Sequence, residues 1–170
     1  MAGPTLSVLL KGLTTTNIQK LYTLINELSE KREDKDFYMS SSSVSYGMSE
    51  QKPFSFDIID IDSDESEYDT QELDQIEIKT NFRPNTNILL MAMTNDFESH
   101  KLLGILALKI AENFNGIIDF GGKLNIDDSI KGKTYNINYE TAVGTSTQYN
   151  ICDVEFMKYW LEHENFSLVK

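Results

Sequence analysis

Apolar positions recur at two different periods along the chain, and the switches between them mark out the elements. Residues 5–10 (TLSVLL) form a short apolar run closed by Gly12, which predicts a first strand. Thr16 and Gln19 open a T-x-x-Q pattern, a helix-start signal. Ile18, Leu21, Tyr22, Ile25 and Leu28 then share one face at helical spacing, predicting an amphipathic helix over 17–30. Residues 31–36 read as a charged turn. Residues 37–48 alternate loosely and are rich in Ser, as suits a strand exposed on one side; 54–61 alternate better, and the two are expected to pair. Residues 72–79 (ELDQIEIK) fit a short helix and a strand equally.

The second half begins with 87–94 (NILLMAMT), an apolar run of buried-strand length. Asn95, with Glu98 three residues on, predicts the start of a helix over 97–114 that is apolar on most faces, and Asn115-Gly116 supplies its stop. A strand over 117–120 ends at Gly121-Gly122. Residues 134–141 and 148–152 make two further strands that turn near Gly144. Asp153 caps a last helix running to His163, with Phe156 and Trp160 inward and Tyr159 a further candidate for that face, and the apolar tail 166–170 is expected to dock on the body. The sum is an α+β fold: a mixed or antiparallel sheet with about three helices in a single domain, 1–170. The order strand–helix–strand–strand appears twice, which suggests two βαββ-like halves, 1–80 and 81–170.

Charge changes this picture in one place. The chain has 27 acidic and 15 basic residues, a formal net charge of −12. Between Glu50 and Glu77 stand 11 acids and, as the single base, Lys52, so one segment carries −10 of it. Its centre is DIIDIDSDESEYD, in which Asp57, Asp60, Asp62, Asp64, Glu65, Glu67 and Asp69 are candidates for binding a basic partner across an acidic loop, 57–72. Such a field repels nucleic acid and anionic membranes, which are bound through Lys and Arg, and it speeds encounter with basic proteins. A calcium loop starting at Asp60 would need Gly at its sixth position and Glu at its twelfth; Glu65 and Gln71 stand there instead. No metal ligand set is read from the sequence, and no cofactor.

Other chemistry is sparse. Gly116–Lys123 (GIIDFGGK) places its glycines and lysine out of register for a phosphate loop. Cys152 is the one cysteine, which excludes an intramolecular disulfide and points to a reducing compartment. It ends an apolar strand, where a thiol is more often a small buried hydrophobe than a nucleophile paired with His100 or His163. His100, in the first turn of the central helix, and Asp119, at the end of the following strand, form a candidate polar site; the plainer reading is a helix-start residue and a turn carboxylate. Tyr135, Tyr139, Tyr149 and Tyr159 could line an aromatic surface or simply pack.

Four stretches together resemble an uncharacterised family of small bacterial proteins, a domain of unknown function: MAGPT at 1–5, HKLLG at 100–104, GIIDFGG at 116–122 and WLEHENFSLVK at 160–170. The resemblance implies a cytoplasmic bacterial protein of the immunity type, one that neutralises a toxin. It carries no catalytic signature and assigns no functional residue. The expectation is therefore a binding protein, more an occluder than an enzyme, whose acidic segment meets a basic protein such as a toxin. The alternative is a small-ligand protein or enzyme with a polar site near His100 and Asp119.

Overall fold

In the computed structural model, described over residues 3–40, 50–126, 130–141 and 144–169, eight strands form one open antiparallel sheet. In chain order the elements are β1 (Thr5–Leu10), α1 (Thr15–Leu28), β2 (Lys31–Glu33), β3 (Asp36–Met39), β4 (Lys52–Asp60), α2 (Thr70–Thr80), β5 (Thr86–Ala92), α3 (Phe97–Phe114), β6 (Ile117–Asp119), β7 (Thr134–Glu140), β8 (Ser146–Cys152) and α4 (Val154–Glu162). Across the sheet the strands run β2-β3-β4-β5-β1-β6-β8-β7. The strand–helix–strand–strand halves therefore interleave: β1 from the first half lies between β5 and β6 from the second.

Alternation along the central strands divides the sheet into two faces. Leu6, Val8 and Leu10 of β1, Phe54 and Phe56 of β4, Ile88 and Leu90 of β5 and Ile118 of β6 belong to the main core, beneath α1, α3 and α4. The intervening residues face the other way. There Leu9, Ile137, Tyr149 and Ile151 pack with Leu73 and Ile76 of α2 in a second, smaller core. Gly104 sits where α3 meets α4; a Cβ at that position would lie 2.8 Å from Leu161 Cδ2 and 2.9 Å from Met157 Cε, so any larger residue would push those side-chain ends aside.

Four helices stand where about three were expected, and α2 is the addition. Its start is fixed by a complete capping box: Asp69 Oδ1 accepts from the Glu72 N–H at 2.8 Å, and Glu72 Oε2 accepts from the Asp69 N–H at 3.0 Å. Those two hydrogen bonds decide a stretch whose apolar pattern alone was ambiguous. Residues 31–33, expected in a turn, instead pair with β3 as an edge strand. The strand expected over 37–48 is seen as Asp36–Met39, and the rest of that expectation, with the loop at Gly47, lies outside the described residues. Helix α1 begins two residues early, capped by Thr14 instead of Thr16. Asp153 caps α4 as expected, and Asn115 takes the left-handed conformation that ends α3, but the α3 cap is Asp96 and not Asn95: the Asp96 side chain accepts from the Ser99 N–H. Among the described residues no helix is long and apolar enough to cross a membrane.

Candidate functional site

The second face of the sheet is only partly covered by α2, and beside that helix it opens into a cavity of about 350 Å³. The sheet supplies its floor. Ser7 of β1 is in register with Leu89 of β5 on one side and with Asp119 of β6 on the other. Asn87 and Ile59 add a neighbouring row, opposite one another on β5 and β4. Tyr149 and Tyr139 make an aromatic wall with ring centroids 5.7 Å apart. Glu65, Glu67, Tyr68 and Glu72, from the acidic segment and the first turn of α2, form the roof and rim. The acidic run and Asp119, which nothing in the sequence connects, thus border one cavity.

Asp119 is its most unusual group. The side chain is only 3% exposed, yet it is a carboxyl. Tyr68 donates its hydroxyl to Oδ2 at 2.6 Å, and the Gly121 N–H donates to Oδ1 at 2.7 Å. Gly121 itself takes a φ of +63°, in the left-handed region open to glycine, which turns the chain away after that hydrogen bond. Burial nevertheless outweighs both hydrogen bonds and pushes the Asp119 pKa up to about 6, with the Glu72 charge adding to the rise. Glu72 is also raised by burial, against the Asp69 backbone hydrogen bond. Burial lifts the Tyr68 and Tyr149 hydroxyls as well, and the Asp119 charge lifts each further. Among the described residues the cavity lining contains four carboxyl groups and no Lys, Arg or His.

His100 is not part of this arrangement. Ile118 faces the main core and α3, so Asp119, the next residue on β6, points to the opposite face. His100 lies on α3, where its Nε2 is 3.0 Å from Asn95 Oδ1 and its Nδ1 accepts from the Leu168 N–H at 3.1 Å. It anchors the tail, and the pairing of His100 with Asp119 does not form. The sheet stands between them. Cys152 is buried in the main core and its thiol pKa is pushed up by burial, as for a packing residue.

The seven acids of the 57–69 stretch divide by role. Asp57 accepts a 2.7 Å contact from Lys35 Nζ. Asp60 holds a turn, its Oδ1 accepting from the Asp62 N–H at 3.0 Å, and Asp69 caps α2. Asp62, Asp64, Glu65 and Glu67 are exposed and form no ion pair among the described residues. Of the four tyrosines singled out from the sequence, Tyr139 and Tyr149 line the cavity, Tyr135 packs half-buried in the second core and Tyr159 is exposed under Lys131.

Ser7, Tyr68, Glu72 and Asn87 were not anticipated. Two of them left a signal: Ser7 and Asn87 are polar residues set in apolar strand runs, and strand alternation puts both on the face away from α1, α3 and α4. Tyr68 is the one aromatic inside the acidic stretch, and nothing local announces its partner 51 positions away.

A family model described as a family of unknown function (DUF6368) matches residues 2–170, and the chain belongs to that family. No match was found among curated proteins or among solved structures.

Proposed function

We propose that this chain is a non-enzymatic binding protein that offers its acidic segment to a basic protein surface. The observation that carries the reading is the state of Asp62, Asp64, Glu65 and Glu67: four carboxylates within six residues, exposed and without ion pairs among the described residues. Neighbouring carboxylates repel one another, and a cationic partner relieves that repulsion while the summed field of the segment accelerates encounter. Asp57, Asp60 and Asp69 shape and hold the segment. In its finer form the reading is an immunity protein in the bacterial cytoplasm that covers the cationic surface of a basic toxin, its acids standing where nucleic-acid phosphate would. The field that attracts such a partner disfavours nucleic acid and anionic membranes.

Replacing Asp62, Asp64, Glu65 and Glu67 by Asn and Gln leaves the turn at Asp60 and the α2 cap intact. Basic proteins retained by the parent from its native lysate should associate roughly tenfold more slowly with that variant at low salt. They should also leave the parent as salt rises, because exposed charges are screened. Retention of the same proteins by parent and variant at the same rate sinks the reading.

Asp119 favours a second reading, in which the cavity serves a small molecule. A carboxyl that titrates near neutrality inside a pocket is placed for general acid or base chemistry, and the neighbouring hydroxyl of Tyr68 could pass it a proton. Conversion of a bound small molecule, lost in Asp119→Asn, would favour this reading over occlusion.

A further inference from the structure

We infer that the cavity binds an organic cation rich in N–H donors, a guanidinium or a primary ammonium group. One buried oxygen and the charge of the lining carry the inference. Asn87 and Tyr149 both line the cavity, on side chains only 7% and 4% exposed. The Tyr149 hydroxyl meets the Glu72 carboxyl, whereas the Asn87 side-chain oxygen has no hydrogen-bond partner among the described residues. Buried polar atoms are nearly always satisfied, so this orphan in the lining marks a position where a ligand supplies the partner. An amide oxygen only accepts, and Asp119 and Glu72 accept when ionised, so the partner must be a donor.

Electrostatics select its charge. Asp119 and Glu72 stand inside the cavity with Glu65 and Glu67 at the rim, and among the described residues no basic side chain lines it. An anion would meet only repulsion there. The choice between a metal ion and an organic cation follows from the donor set. Among the described residues no three His, Cys, Asp or Glu side chains converge as metal ligands. The acceptors are instead spread out: Asn87 on β5 and Tyr149 on β8 are three strand spacings apart, about 14 Å of sheet, with Asp119 between them on β6. A linear cation with donors at both ends suits that spread better than a compact ion, and the tyrosine wall offers a ring face to its charge. The cavity size falls at the small end of ligand sites, about 300–1,000 Å³.

This inference does not rest on the acidic segment meeting a protein. The same head group could arrive free or on a Lys or Arg side chain of a partner. Calorimetric titration with agmatine, a free guanidino-amine, and with N-acetyl-arginine amide, which carries the head group on a peptide backbone, separates the two sources. Saturable one-to-one binding of agmatine alone indicates a free ligand; binding of the blocked arginine indicates a side chain. Either should weaken roughly tenfold or more in Asp119→Asn, the loss of one charge-assisted hydrogen bond. Asn87→Leu should weaken it several-fold while leaving the unfolding midpoint in place, since the side-chain oxygen it removes has no protein partner to lose. Absence of binding by both probes overturns the inference, as does binding that both variants leave unchanged. If the probes fail while basic proteins are still retained through Asp62–Glu67, the cavity inference falls and the partner reading stands; the reverse outcome removes the partner reading alone.

Discussion

At pH 7 the Asp119→Asn variant should be more stable than the parent, by about 3 kcal/mol, although it removes two charge-assisted hydrogen bonds. The sign follows from linkage. The Asp119 carboxyl has an ordinary pKa of 3.8 and a folded value near 6, so between those limits the folded chain holds a proton that the unfolded chain has released. Stability therefore falls as pH rises through that window, and the whole penalty is present above it. Asparagine carries no charge to desolvate. Its oxygen can accept from the Gly121 N–H, and its amide can donate to the Tyr68 hydroxyl oxygen. Denaturant unfolding of both proteins from pH 3 to pH 8 checks this. The curves should converge below pH 4, draw apart between pH 4 and 6 and run parallel above. A variant less stable than the parent at pH 7 would mean that the Asp119 charge is compensated by a contact the structure does not contain. A carboxyl kept at this cost belongs more naturally to a site than to a scaffold.

Trp160→Ala should lose about 3–5 kcal/mol, a large part of the roughly 5–15 kcal/mol that holds a domain folded. Trp160 is 1% exposed and is the junction between α4 and the tail. Its ring stacks on Phe156 at 6.2 Å and on His163 at 5.3 Å, meets Phe166 at 6.0 Å, and its N–H donates to the Ser167 carbonyl at 3.2 Å. Alanine would leave a cavity that these rings cannot all close. The Leu168 amide, bound to His100 Nδ1 and buried, should then lose its protection from hydrogen exchange before the sheet amides do. A change in unfolding free energy under about 1 kcal/mol would show that the tail packs independently of Trp160.

Much of this fold is legible in the sequence because periodicity and caps agree. The last helix is the clearest example, where an apolar stripe and the Asp153 cap point to one boundary; the stripe over 97–114 is equally legible, but its cap is Asp96 and not Asn95. Helix α2 was ambiguous because ELDQIEIK satisfies both periods, and the deciding capping box begins with Asp69, which reads as one more acid in an acidic run. The candidate site was half legible. The acidic segment and Asp119 stand out by charge and by the adjoining glycines, but whether they meet depends on strand order, and interleaved halves are not encoded in any local pattern. His100 shows the same limit from the other side. Its place in the first turn of the central helix, with Asp119 ending the following strand, suggested proximity, whereas alternation along β6 turns Asp119 away from the helix that carries His100.

The central claim is that the acidic rim and the cavity beneath it form one cation site. The most direct test is to follow backbone amide signals by proton–nitrogen correlation spectroscopy while agmatine or N-acetyl-arginine amide is titrated to millimolar concentration. The account predicts saturable shifts grouped at Ser7, Asn87, Asp119, Gly121, Tyr149 and residues 65–72, which approach one another only in the folded sheet. Shifts confined to the exposed acids and growing without saturation, or none at the cavity strands, would contradict it.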